Sequence, residues 1–141
     1  MKFQVVFDAA EPERLGAFWK LALGYVDDSY PPQFASLEEF FESLGIPEEK
    51  WGDQWALVDP AGDGPRIYIQ RVPEGKTAKN RVHLDVRVAG PEVSGEDRAA
   101  LMAAHVARLV SAGGSVLHRT DNGRERYTVM RDPEGNEFCV A

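Results

Sequence analysis

A four-residue turn motif, Asp-Pro-x-Gly, occurs twice in this chain, at 59–62 and at 132–135. Aspartate caps such a turn, proline presets its backbone angle and glycine permits a left-handed exit, so each copy indicates a tight turn. Apolar runs typical of β-strands flank both copies. Two copies in the same setting suggest an internal duplication.

The order of elements around the two turns supports this duplication. In each half a strand leads into a helical pattern that ends at glycine, and two further strands, the turn and a last strand follow. The spacing between the halves drifts, because the first has extra residues before its turn and the second has a longer helical region. We therefore predict an α+β fold of two βαβββ modules in a single domain, 1–141, with modules at about 1–72 and about 80–141.

The composition disfavours several classes of partner. A formal net charge of −7 argues against a nucleic-acid partner, which requires a basic face. No segment has the pattern of a signal peptide or the length of an apolar membrane span. The single cysteine excludes an intrachain disulfide. We expect a soluble, cytoplasmic protein without a nucleic-acid or membrane partner.

The first module contains a helical insertion at about 31–54, opened by Pro31-Pro32. Ser36 followed by Glu39 is a capping-box pattern, which predicts that a helix begins after Ser36. Gly45 is placed to end this helix. The apolar stripe of this helix consists of Leu37, Phe40, Phe41 and Leu44. The insertion is interpreted either as a lid or interface, or as a cover for one edge of the sheet.

The second module shows a strand, a helix and a hairpin. Residues 82–88 alternate between apolar and polar, which predicts a strand with one polar face. Asp121-Asn122-Gly123 predicts a tight turn between strands at 115–120 and 124–130, since Asn-Gly tolerates positive φ angles. The helix predicted after Ser94 has an apolar stripe made of Leu101, Met102, Val106, Leu109 and Val110.

Combining the strands predicts a polar cleft. If the apolar strand faces pack on the helices, a curved mixed sheet with its helices outside collects the opposite faces into one concave cleft for a small polar ligand. The side chains on those faces include Gln4, Asp8, Tyr68, Gln70, His83, Asp85, Arg87, Glu137 and Cys139. Trp51 and Trp55 are expected near the opening, where their rings would stack on the ligand.

Several of these segments resemble the vicinal oxygen chelate superfamily, which contains glyoxalase I, extradiol dioxygenases, and fosfomycin- and bleomycin-resistance proteins. Residues 11–19 look like the family's first helix, and residues 132–136 look like its closing turn. Residues 79–85, after 70–73, look like its glyoxalase-like branch. The resemblance covers nearly the whole chain and implies two βαβββ modules around a metal-bearing cleft.

The resemblance also implies a metal site, which this chain matches incompletely. The implied ligand positions fall on Gln4, on or near Tyr68, on His83 and on Cys139, where the family normally has glutamate. If a divalent ion such as Ni, Zn, Mn or Fe binds, we expect Gln4, His83 and the nearby Glu137 to hold it. Because an amide, a phenol, an imidazole and a thiol suit these ions poorly as a set, we do not assign a cofactor.

Three functions stay open at this point. A metal-dependent lyase, isomerase or dioxygenase would use the ion to polarise vicinal oxygens of its substrate. A metal-free enzyme would use His83 as a general base, held by Asp85 or Asp8, and Cys139 as a nucleophile. A third possibility is a protein that only sequesters a drug-like or metabolic ligand, as a homodimer that completes the cleft. Such a protein needs neither a metal ion nor catalytic side chains. The substrate, the reaction and the pairing of the modules within or between chains are left open.

Overall fold

The first half of the chain forms an open four-stranded mixed sheet. The computed structural model describes residues 1–141 and contains two units, the first made of residues 1–20 and 24–75 and the second of residues 21–23 and 76–141. The strands of the first unit are β1 (Gln4–Ala9), β2 (Val26–Asp27), β3 (Gln54–Val58) and β4 (Arg66–Arg71). Their order is β1-β4-β3-β2, with β1 and β4 parallel and the other pairs antiparallel. The helices of this half are α1 (Pro12–Leu23), α2 (Leu37–Ser43) and a 3₁₀ helix (Glu48–Asp53).

The second half repeats this plan. Its elements are β5 (Asp85–Val86), α3 (Gly95–Ser111), β6 (Ser115–Asp121), β7 (Arg126–Arg131) and β8 (Glu137–Val140). The strand order β5-β8-β7-β6 matches that of the first sheet, again with the first and last strands parallel. The predicted α+β class with two βαβββ modules is therefore confirmed. None of the three α-helices is long and apolar enough to cross a bilayer.

Helix α1 forms where the sequence predicts it. Pro12 occupies its first turn, where a missing N–H costs nothing, and Gly24 ends it with a φ of 69°. The core of the first unit combines its apolar stripe with the inner faces of β3 and β4: Leu15, Phe18, Trp19, Leu57, Ile67 and Ile69. At Gly16 a Cβ atom would lie 2.5 Å from Cδ1 of Trp55, so only glycine allows this helix and β3 to pack so closely.

The buried face of α3 differs from the predicted stripe. Leu101 and Val110 are 46% and 47% exposed, and His105 is buried between Met102 and Leu109 instead. The Nδ1 atom of His105 accepts a hydrogen bond from Arg108 at 2.9 Å, which leaves Nε2 to donate to the carbonyl of Ala22 at 3.0 Å. Both ring nitrogens thus have hydrogen-bond partners, so burial of this side chain leaves no polar atom unsatisfied.

Two strand predictions for the second module are wrong in extent. The strand predicted at 82–88 is reduced to Asp85–Val86, although the carbonyl of Leu84 still accepts from the N–H of Cys139 at 2.9 Å. The predicted tight turn is a four-residue loop, 122–125. In that loop, which joins the two strands of the predicted hairpin, Oδ1 of Asn122 accepts hydrogen bonds from the backbone N–H groups of Arg124 and Glu125, the two residues predicted to begin the next strand.

Candidate functional site

The sheet face opposite α1 in the first unit is polar. Because side chains alternate along a strand, the burial of Ile67 and Ile69 against α1 places Tyr68 and Gln70 on the other face. The register sets Gln4 beside Arg66 and Asp8 beside Gln70 on that face. Nε2 of Gln70 donates to Oδ1 of Asp8 at 2.8 Å. Gln4, Asp8, Tyr68 and Gln70, predicted to share a surface, therefore lie on one sheet face.

A cavity of about 230 Å³ lies between part of this face and the insertion. Its floor is polar, and the phenol of Tyr68 donates to Oε1 of Gln54 there at 2.6 Å. Its opposite wall is apolar and comes from the insertion and the residue before it: Tyr30, Leu37, Phe40, Phe41, Leu44 and Ile46. A cavity with an apolar wall and a few fixed polar groups is typical of small-molecule sites.

The charge of Arg66 at the cavity edge is already compensated. Its Nε donates to Oδ2 of Asp28 at 2.7 Å, and its Nη1 donates to Oε1 of Gln4 at 2.6 Å. The guanidinium carbon lies 5.5 Å from the centre of the Tyr68 ring, a cation–π distance. The cavity edge is therefore polar, with its positive charge paired to a carboxylate.

The two tryptophans predicted near the opening have different positions. Trp55 borders the cavity, but its ring packs on Gly16 and its Nε1 donates to Oδ1 of Asp27 at 2.9 Å. The indole of Trp55 thus packs against α1 and donates a hydrogen bond to β2. Trp51 belongs to the insertion, where its ring lies 6.2 Å from that of Phe41 and its Nε1 donates to the carbonyl of Ile46.

Helix α2 is held in place by its cap and by aromatic contacts. Oγ of Ser36 accepts from the N–H of Glu39 at 3.2 Å, as the capping-box pattern predicts. The Glu39 carboxylate bonds the N–H of Ala35 at 2.7 Å, one residue earlier than in the usual box. No residue of α2 is buried, so this helix has little apolar burial to keep it closed over the cavity.

We predict that Ser36→Ala loosens α2 selectively. Loss of an N-cap costs about 1 kcal/mol, which corresponds to about fivefold faster amide hydrogen exchange in this helix. Ser94→Ala is the matched control, because Ser94 caps α3 through the N–H of Asp97 at 3.1 Å. Exchange measured by mass spectrometry should rise in α2 for the first variant and not for the second. Unchanged exchange in α2 for Ser36→Ala would contradict the role of the cap.

The second unit brings five predicted residues into one groove of about 640 Å³: His83, Asp85, Arg87, Glu137 and Cys139. The parallel pairing of β5 with β8 sets Asp85 beside Cys139. His83 is two residues before Asp85, and its Nε2 lies 3.4 Å from Oδ1 of that aspartate. The donor atoms of His83, Asp85 and Cys139 all lie within 4.8 Å of one another.

The thiol of Cys139 is not activated by its surroundings. Burial raises its pKa, and the Asp85 carboxylate, which accepts a hydrogen bond from the thiol, raises the pKa further. A nucleophilic cysteine needs the opposite shift, because the thiolate is the reactive form. This environment therefore gives no support to the hypothesis of a metal-free cysteine nucleophile.

The carboxylate of Glu137 is engaged by the segment that precedes β5. It accepts from the backbone N–H of Asn80 at 3.0 Å and pairs with Nζ of Lys76 at 2.9 Å. These hydrogen bonds lower the pKa of Glu137 to about 2. Gln4, the other expected oxygen ligand, is bonded to Arg66 in the first unit. Gln4 and Glu137, the two oxygen ligands of the expected set, thus already have protein partners.

A divalent metal, which the family resemblance implies, fits the His83, Asp85 and Cys139 donors better than the expected set. Imidazole, carboxylate and thiolate are each zinc ligands, and catalytic zinc sites use three protein ligands with an open position. The side chains of His83 and Asp85 are 50% and 56% exposed, so an ion held by them would remain accessible. The sequence predicts Asp85 as a site residue but not as a metal ligand. Its position next to Cys139 depends on the pairing of β5 with β8, which the local sequence pattern does not determine.

Solved structures of several known proteins share this architecture. The structure matches a glyoxalase/bleomycin resistance protein/dioxygenase family enzyme from Burkholderia phytofirmans with a TM-score of 0.63 at 14% identity, covering 97% of this chain and 94% of that one. It matches the bleomycin-binding protein of Streptomyces verticillus, solved with copper(II)-bleomycin, with a TM-score of 0.55 at 19% identity over 100% and 94% of the two chains. The fosfomycin resistance protein FosX of Listeria monocytogenes matches with a TM-score of 0.60 at 12% identity over 99% and 90%.

These structural matches, at such low identities, show a shared fold. A comparison with curated protein sequences found no match. The family model described as a glyoxalase-like domain matches residues 4–141, nearly the whole chain. The resemblance inferred from the turn and helix motifs is confirmed, and this chain belongs to the glyoxalase-like domain family.

Proposed function

We propose that this protein binds a compact organic molecule in the cavity of the first unit. The observation that carries the proposal is the cavity itself, in which an aromatic wall from the insertion faces polar groups on β3 and β4. At about 230 Å³ it is smaller than the roughly 300–1,000 Å³ of drug-sized pockets, so its ligand is small.

The lining defines the chemistry of the ligand. Phe40, Phe41 and Leu37 suit an aromatic or aliphatic body, since burial of apolar surface there is favourable. With Oε1 of Gln54 already bonded to Tyr68, the amide N–H groups of Gln54 point to an acceptor such as a carbonyl or carboxylate oxygen. The ligand is therefore less polar than the sequence suggests, with its polar end at the sheet.

Naphthoate and its neutral amide, naphthamide, are suitable probes for this cavity. We expect saturable binding by fluorescence titration and a higher melting temperature in their presence. Phe40→Ala should weaken binding about tenfold, because it removes part of the aromatic wall. Phe3→Ala is the matched control, since Phe3 is 72% exposed and lies outside the cavity. No saturable binding of either probe, or equal binding by Phe40→Ala, would refute this proposal.

A sequestering role is the simplest form of this function. One structural neighbour is a bleomycin-binding protein and another a fosfomycin resistance protein, and both share the fold of this chain. We propose that this protein acts as a single domain in the cytoplasm and as a homodimer, as expected from its sequence. Sedimentation of the purified protein tests the dimer, and a monomer at every concentration would refute it.

A second candidate function is an enzyme that works in the groove of the second unit. His83 beside Asp85, with Cys139 within ligand distance, favours it. These three side chains would hold a divalent metal, which would supply Lewis-acid chemistry to a lyase, isomerase or dioxygenase. Without a metal, the Asp85 carboxylate would orient the His83 ring as a general base. Replacement of His83 by glutamine should then abolish turnover while naphthoate binding persists.

A further inference from the structure

We propose that Asn122, in the loop between β6 and β7, is a site of spontaneous covalent modification, at which the side-chain amide is lost as ammonia and the residue becomes aspartate or isoaspartate. The reaction needs only the chain and water, so it depends on neither of the two candidate functions. Asn122 and Gly123 form the Asn-Gly pair of the hairpin loop, and every residue of 121–125 is exposed. Water, the second reactant, therefore reaches the loop.

The reaction begins with attack of the backbone nitrogen of Gly123 on Cγ of Asn122. The new N–C bond closes a cyclic imide, and the side-chain nitrogen leaves as ammonia with the proton that the Gly123 nitrogen gives up. Water then opens the imide at one of its two carbonyl carbons. Cleavage of the new bond yields aspartate, whereas cleavage of the original peptide bond yields isoaspartate, in which the main chain runs through the former side chain. No oxidant or reductant is required.

The backbone nitrogen of Gly123 is accessible for this attack. Glycine has no Cβ atom that would hinder the approach of its nitrogen to the carbonyl carbon. The N–H group of Gly123 donates to no other group of the protein, whereas those of Asn122, Arg124 and Glu125 all have acceptors. Deprotonation of the Gly123 nitrogen therefore breaks no hydrogen bond within the loop.

The oxygen that gains charge during the attack already has two hydrogen-bond donors. Oδ1 of Asn122 accepts from the N–H of Arg124 at 3.0 Å and from the N–H of Glu125 at 2.9 Å. Negative charge develops on Oδ1 in the tetrahedral intermediate, and fixed backbone donors stabilise such a charge as they do in an oxyanion hole. The hydrogen bonds that shape this loop thus also favour loss of the amide.

The other two asparagines of the chain lie in settings that disfavour the reaction. Nδ2 of Asn136, the atom that would leave, donates to both carboxylate oxygens of Asp132, at 3.2 and 3.0 Å. Asn136 and Asn80 are followed by glutamate and arginine, whose side chains hinder attack by the backbone nitrogen. Asn80 and Asn136 are therefore internal controls for Asn122.

Conversion of Asn122 changes one edge of the groove in the second unit. Glu125 and Arg126, which follow the modified residue, line that groove. Aspartate adds a negative charge but keeps an acceptor oxygen at the position of Oδ1, so the turn should persist. Isoaspartate lengthens the main chain by a methylene group and makes that carbonyl part of the backbone. The pairing of Asp121 with Arg126, which closes the hairpin, should then loosen.

Peptide mapping by mass spectrometry, after incubation of the folded protein at mildly alkaline pH, tests the proposal. We expect Asn122 to convert while Asn80 and Asn136 keep their amides. Both aspartate and isoaspartate should form, and isoaspartate is diagnostic because direct hydrolysis of the amide gives only aspartate. Asn122→Gln should lose the conversion, since its longer side chain closes the ring poorly. Gly123→Ala should lose most of it, because the added methyl group hinders the nitrogen.

Two controls make the result decisive. A Cβ atom at position 123 meets nothing within 4 Å, but the φ of 80° strains alanine there, so circular dichroism checks that Gly123→Ala is folded. A peptide of residues 119–126, incubated beside the protein, shows that the conditions allow the reaction. If Asn122 kept its amide in the protein while the peptide converted, the proposal would be overturned. Equal conversion of all three asparagines, or aspartate without isoaspartate, would also overturn it.

Discussion

Replacement of Trp19 by alanine should lower the free energy of unfolding by about 3–5 kcal/mol, the usual cost of deleting a large buried aromatic side chain. Trp19 is 1% exposed. Its ring stacks on Phe7 at a centroid distance of 5.0 Å and meets the edge of Phe18 at 5.9 Å. Because domains are stable by only about 5–15 kcal/mol, this single cavity would remove a large part of the total. Equilibrium denaturant unfolding, followed by circular dichroism, measures the effect.

Two companion variants make the Trp19 prediction specific. Trp51→Ala deletes the same side chain from the insertion, where it is only partly buried, and should cost much less. Trp19→Phe keeps a ring beside Phe7 and should recover part of the lost stability. If Trp19→Ala cost no more than Trp51→Ala, the packing of α1 on β1 would not be a main source of stability.

Replacement of Glu137 by glutamine should destabilise the protein by about 2–3 kcal/mol at neutral pH and by very little near pH 2. The hydrogen bond from the Asn80 N–H and the Lys76 ammonium lower the pKa of this carboxyl group from 4.5 to about 2 in the folded state. A lowered folded-state pKa contributes stability above the unfolded value, and that contribution is lost as the pH falls from about 4.5 to about 2. The side chain is only 12% exposed, so solvent screens the pair weakly.

The pH dependence distinguishes this mechanism from a general loss of packing. Unfolding free energies of both proteins should be measured between pH 7 and pH 2, with a chelator present so that bound metal makes no contribution. The curves should converge as Glu137 becomes protonated in the unaltered protein. Glu125→Gln, on the exposed loop after β6, controls for the change of net charge. A constant difference at every pH would show that the ion pair contributes nothing.

The sequence predicted those parts of the fold that local chemistry determines. Pro12 and Gly24 mark the ends of α1, Ser36 begins α2, and the repeated Asp-Pro-x-Gly turn indicates the duplication. The extent of a strand depends on its neighbour. Alternation continues through 82–88, but regular strand pairing with β8 covers only Asp85 and Val86, with further backbone hydrogen bonds at Leu84 and Val88. Local pattern alone therefore overestimated the length of β5.

The candidate sites were predicted in part. Alternation placed His83, Asp85 and Cys139 on polar faces, but the β5 and β8 register, which pairs residues 54 positions apart, decides which of them meet. Register also sets Gln54 opposite Gln70, so that Gln54 shares a face with Tyr68 and can accept its hydrogen bond. Trp55 was expected at the ligand site because aromatic rings often stack on ligands. It does border the cavity, and the packing of its ring on Gly16 is a steric relation between two elements distant in sequence.

The pairing of the first strand of each module with its last has a consequence for how such a chain acquires new segments. Gln4 and its partner Arg66 are 62 positions apart, and Asp85 and Cys139 are 54 apart, although only the first interval contains the insertion. The entropy of loop closure rises only with the logarithm of length, so this difference costs roughly 0.1 kcal/mol. Additional residues between the second and third strands of either module therefore add little to the entropy cost of closing that module. A segment that covers the sheet can lengthen or change without weakening the pairing of the module's first and last strands.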